Sequence, residues 1–165
     1  MMKRREIIRN LSVVPIAGAI GGCASGGSSE NSKDDWTPKK ELVAGSKSSA
    51  SPLSLCIRSG HLLFVSGIGG YYPDRHDEPG DIKIQVNRAL TTMQETLEKA
   101  GSNMANVLKV HMSVVDPVKN IGPLNEEYSK FFPDPKPARS YSGAYADQMG
   151  PNWPLIQIDC IAYVD

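Results

Sequence analysis

The chain has 165 residues, 22% of them charged, with 18 basic and 18 acidic side chains and a formal net charge of +0. That length holds one ordinary domain and a tail, because two domains would each be too small to bury a good core. The first 23 residues carry Lys3, Arg4, Arg5 and Arg9 against Glu6 alone, which leaves 14 basic and 17 acidic residues downstream, near −3. That balance argues against nucleic acid as a partner, since phosphate-backbone binding depends on many lysines and arginines.

In chain order, a basic stretch containing Lys3-Arg4-Arg5-Glu6-Ile7-Ile8-Arg9 precedes the apolar run Val13 to Ile20. The run is shorter than the roughly 20 residues that span a bilayer, so a signal peptide over residues 1–22 is expected. Paired arginines followed by aliphatic residues and another base resemble the twin-arginine export motif. Ile20-Gly21-Gly22-Cys23 resembles a lipobox, in which the cysteine is lipidated and becomes the new N-terminus. Residues 23–50 then read as lipidated Cys23 and a flexible tether, too rich in Gly, Ser, Lys and Asp to bury much surface. The expected location is outside the cytoplasm, facing the periplasm or cell exterior, with the lipid as the sole membrane anchor.

From residue 51 to 165 the pattern is that of a folded domain. Leu53, Leu55 and Ile57 lead to Ser59-Gly60, and Leu62 to Val65 follow, which predicts two short strands joined by a tight turn. Val86, Ala89, Leu90, Met93, Leu97 and Ala100 recur at helical spacing, and Gly101 is placed to end that helix. Leu108, Val110, Met112 and Val114 alternate with Lys109, His111 and Ser113, the period of a half-buried strand. Ile121, Leu124, Tyr128 and Phe131 predict a second amphipathic helix stopped by Pro133 and Pro135. Strands over Ala138 to Tyr145 and Leu155 to Val164 complete a ββαβαββ order, with an extra short strand allowed near Tyr71. The order implies an α/β (α+β) domain, a mixed sheet with two helices on one face. The uncovered face predicts a homo-oligomer.

Most local motifs fail as sites. Ser66-Gly67-Ile68-Gly69-Gly70 follows a strand, but Tyr71-Tyr72-Pro73 stands where a phosphate loop would open a helix. His61, His76 and His111 lack the short spacings of zinc ligands, so neither a metal nor a cofactor is expected. Cys56 and Cys160 fall on predicted strands as small buried hydrophobes, although an oxidising compartment would permit a disulfide. No nucleophile-elbow sequence is present.

Pro137-Ala138-Arg139-Ser140 and Ile156-Gln157-Ile158-Asp159-Cys160-Ile161-Ala162 remain, and with them the run from about Pro52 to Val164 resembles the YjgF/RidA family of enamine/imine deaminases. Ser66-Gly67, the helix ending in Ala100-Gly101, and Asn125, Tyr128 and Phe131-Phe132 carry the same resemblance. It implies a chorismate-mutase-like fold, a homotrimer, and ligand clefts between subunits. It also implies that Arg139 grips the carboxylate of a small imino or enamino acid such as 2-iminopropanoate, with Ser66, Gly67 and Asn125 in the same binding site. A planar, always-protonated fork of donors suits that task. The chain departs from the family at two places: Gln157 stands where a water-activating glutamate is usual, and Leu53 where a cleft tyrosine is usual. Gln157 can hold a water but cannot take its proton. Asp159, two residues along the strand, points to the same face and is a displaced substitute. Two functions follow: a hydrolytic deaminase of small enamine or imine carboxylates using Arg139, Gln157 and Asp159, or a non-catalytic trimeric module that binds a small carboxylate. Export favours the second, because reactive enamines arise mainly inside cells.

Overall fold

The computed structural model describes residues 39–43, 52–70, 79–151 and 154–165. The expected signal peptide, Cys23 and the strand near Tyr71 lie outside these residues.

The described elements run β1 (Glu41–Leu42), β2 (Cys56–Ser59), β3 (Leu62–Gly69), α1 (Ile82–Lys99), β4 (Val107–Val115), α2 (Pro117–Tyr128), β5 (Ala138–Ala144) and β6 (Ile156–Tyr163), with short 3₁₀ turns before β4 and after β5. The sheet order is β1-β2-β3-β6-β4-β5. All neighbours are antiparallel except β4 and β5, which α2 joins as a crossover. The mixed α+β architecture expected from the pattern is therefore the one observed. One correction concerns the tether: Glu41 and Leu42 pair with Arg58 and Ile57, so the folded unit begins before residue 51.

Both helices cover one face. α1 packs on β3 and β6, and α2 packs on β4 and α1. Leu63, Val65, Val110, Met112, Val114, Ile156, Ile158, Cys160 and Ala162 point into that layer and are buried. The opposite face carries Phe64, His111, Ser113, Gln157 and Asp159 and has no covering element among the described residues.

Local chemistry sets the element ends. Asp81 caps α1 by accepting from the Ile84 amide at 3.0 Å, and Gly101, at φ +80, ends it as expected. Gly70 lets β3 approach α1 closely, since a Cβ there would sit 2.4 Å from the Gln85 carbonyl oxygen. Two details differ from simple alternation. A bulge between Val107 and Lys109 turns Val107 inward and leaves Leu108 48% exposed, because one extra residue reverses the side-chain parity. α2 starts at Pro117 behind the Asp116 cap and ends at Tyr128, before the expected prolines. Lys130 and Phe131 amides bond three residues back, tightening the chain so that Phe132 rather than Phe131 enters the core. Cys56 and Cys160 are both free and buried. β3 runs between their strands, which separates their Cα atoms by roughly 9–10 Å, beyond disulfide reach.

Candidate functional site

Arg139 lies on the edge strand β5. Its register partner is Val110, a core-facing residue, so Arg139 projects toward the helical layer rather than the open face. There it donates to Oδ1 of Asn125 at 2.7 Å, and its guanidinium carbon stands 4.6 Å from the centroid of the Tyr128 ring. These two α2 residues, one helical turn apart, hold the guanidinium plane from two sides. Among the described residues no carboxylate pairs with Arg139. Tyr128 stacks on Phe132 with ring centroids 4.6 Å apart, and its buried hydroxyl finds no partner among the described residues. Burial pushes that hydroxyl up to about 12, and the nearby Arg139 charge opposes the rise only in part.

Ser66, Gly67, Gln157 and Asp159 form a second group, around β3 and β6. The Ser66 hydroxyl donates to the Ser54 carbonyl at 2.6 Å, fixing the bulge in β3 between Val65 and Ile68. Gln157 lies over Gly67 so closely that a Cβ at residue 67 would come within 2.6 Å of its Nε2. Gln157 is opposite Ser113 and Asp159 is opposite His111, so both point to the open face, as their spacing of two requires. Asp159 Oδ2 lies 3.2 Å from His111 Nδ1.

The predicted residues thus fall into two groups within one chain. Arg139 and Asn125 meet at the helix-side edge of the sheet; Ser66, Gly67, Gln157 and Asp159 share the other side. From Gln157 to Arg139 the path crosses two strands and three residues along β5, roughly 14 Å between Cα atoms and through the sheet. Leu53, where the cleft tyrosine was missing, is 61% exposed. Sequence reading missed the Tyr128 ring beneath Arg139 and His111 beside Asp159. The helical spacing of Asn125 and Tyr128 offered a hint of the first. Nothing local linked residues 111 and 159, which only strand register brings together.

Residues 45–164 match the profile of the family described as Endoribonuclease L-PSP. A relative is Reactive Intermediate Deaminase A, chloroplastic, from Arabidopsis thaliana, 33% identical over 127 residues that cover 75% of this chain and 66% of that protein, just under two thirds of its length. Protein mmf2, mitochondrial, from Schizosaccharomyces pombe is 31% identical over 124 residues, covering 75% of this chain and 97% of that one. The crystal structure of a YjgF/YER057c/UK114 family member from Mycobacterium tuberculosis superposes with a TM-score of 0.63 at 26% identity, covering 76% of this chain and all of that one.

Proposed function

Since this chain belongs to the Endoribonuclease L-PSP family, that of the YjgF/RidA proteins, we propose that it binds small imine or enamine carboxylates between neighbouring copies and hydrolyses them slowly, with release of ammonia. The observation that carries this reading is Arg139, a guanidinium held by Asn125 and the Tyr128 ring with no carboxylate partner among the described residues. Such a fork is ready for a ligand carboxylate. A complete site then takes Arg139 and Asn125 from one copy and the Ser66, Gly67 and Gln157 surface from another, which is why both faces of the sheet contribute. The name of the Arabidopsis relative supports the reaction class.

Gln157 sets the rate. Its amide can hold a water against the imine carbon but takes no proton, and general acid–base assistance typically contributes about 10²–10⁴-fold. The experiment is kcat/KM on 2-iminopropanoate generated in situ, with spontaneous hydrolysis subtracted. Gln157→Glu should raise it at least about tenfold, a modest part of that range. Arg139→Ala in the same background should abolish the gain. A wild type already slowed by Gln157→Glu would overturn the role given to Gln157. The second reading, a module that binds a carboxylate without turnover, rests on the same glutamine. It wins if neither form turns over and Arg139 is still needed for stabilisation by a carboxylate ligand.

A further inference from the structure

We propose that the site at Arg139 is built for imine carboxylates with a long apolar side chain, which lies along Tyr141 and ends in a hollow beside Gly143. The inference rests on the deaminase reading above and names the class of substrate within it.

Arg139, Tyr141 and Gly143 are the register partners of Val110, Met112 and Val114, which are buried under the helices, so all three face the helical side of β5. At about 3.3 Å per residue, the row from Arg139 to Gly143 spans roughly 13 Å. α2 runs beside it in the opposite direction. Asn125, near the end of the helix, meets Arg139, and Pro117, at its start, meets Gly143, where an added Cβ would stand 3.5 Å from the proline Cγ. From Pro117 to Asn125 the helix rises roughly 12 Å, so the two elements match in length. Between those two contacts the strip is open. Tyr141 is 50% exposed, and a Cβ added to Gly122, one turn before Asn125, would meet nothing within 4 Å.

At the far end a hollow of about 470 Å³ lies among Pro117, Gly143, Ala144, Tyr145 and Ala146, a size within the range of ordinary ligand pockets. Asp116, also in its wall, caps α2 by accepting from the Lys119 amide at 3.4 Å. Its charge repels an anion there, while the Arg139 guanidinium attracts one. A ligand with one carboxylate and an apolar body is therefore oriented, its head at Arg139, its chain on the Tyr141 ring and its end in the hollow. The methyl group of 2-iminopropanoate reaches only the anchor.

The full chain is titrated with two stable analogues, pyruvate and 2-oxooctanoate, and assayed on the matching imines generated in situ. 2-Oxooctanoate should bind at least about tenfold more tightly than pyruvate, since each methylene taken out of water contributes roughly fourfold. Arg139→Ala should lose both ligands. Tyr141→Ser and Gly143→Val, the second a strand-forming residue that fills the hollow, should each pull the ratio of the two affinities back toward one. The values of kcat/KM should follow the same order. Equal affinities in the wild type, or a preference that survives both substitutions or persists without Arg139, overturn the proposal and leave the deaminase reading standing wherever the imines turn over. A chain-length preference that needs Arg139 and Tyr141 without turnover of either imine overturns the deaminase reading and leaves the strip as a binding site.

Discussion

A Cβ added to Gly67 would stand 2.6 Å from Nε2 and 2.8 Å from Cδ of Gln157, atoms at the far end of a flexible side chain. Gly67→Ala should therefore cost little stability but swing Gln157 away from its place, so kcat/KM should drop severalfold while the thermal midpoint moves by only a few degrees; an unchanged rate would show that the amide needs no fixed position. Gly70 offers the contrast, because a Cβ there meets the backbone of α1, which cannot step aside. The two glycines sit in one run of the sequence and look alike in it. Their different partners arise from the bulge in β3 and from the close approach of α1, neither of which leaves a local mark. Arg139 was readable because a four-residue motif surrounds it; His111 was not, since its partner lies 48 residues away across a strand pairing.

The helices are joined to each other by Glu127, whose side chain is only 10% exposed. It accepts from Asn87 of α1 at 2.7 Å and pairs with Lys130 at 2.6 Å. The Lys130 contact first, and the Asn87 hydrogen bond second, hold its carboxyl below the ordinary value of 4.5. A carboxyl whose folded value lies below its unfolded one stabilises the fold above the unfolded value, and that contribution disappears as pH falls through the folded value. Glu127→Gln should therefore destabilise at pH 7 and lose most of its effect near pH 3, measured by urea unfolding at both. An equal effect at both pH values would mean that packing, not charge, is what the residue supplies. Elements with strong periodicity, α1 and the core half of β4, were legible in the sequence from Val86 to Leu97 and from Val110 to Val114. Element ends were less so. The apolar spacing suggested that α2 reached Phe131, but competing three-residue hydrogen bonds stop it at Tyr128, and Asp116 with Pro117 starts it earlier.

At the scale of the molecule, one sheet face is covered by helices and the other carries Phe64 and Leu108, 41% and 48% exposed. A chain cut to begin at Trp36, which keeps β1, should scatter light as a trimer, with Arg139 of each copy meeting the open face of the next. A monomer at micromolar concentration would remove the shared cleft and both functional readings. The proposed export is supported by Arg4-Arg5 and by Ile20 to Cys23, and no helix among the described residues is long and apolar enough to cross a membrane. Cys23→Ala should move the protein from the membrane fraction to the soluble one; unchanged membrane association would count against lipidation. The layer architecture followed from the order of strands and helices, whereas β1 escaped notice because two residues inside a polar run carry no periodicity.

That small strand bears on how the sheet ends. The six strands finish at β5 on one side and β1 on the other. Among the described residues, the seven of β5 have no strand paired along their outer rim, while β1 offers only two, preceded by Lys39 and Lys40 and beginning with Glu41. Rim-to-rim growth of a fibre needs a matching length of free backbone on both partners, and charged residues beside a short strand deny it. A head-to-tail contact that closes on itself has a finite end, and one that does not runs on as a filament. With one rim blunted in this way, crowding would favour closed rings over polymer.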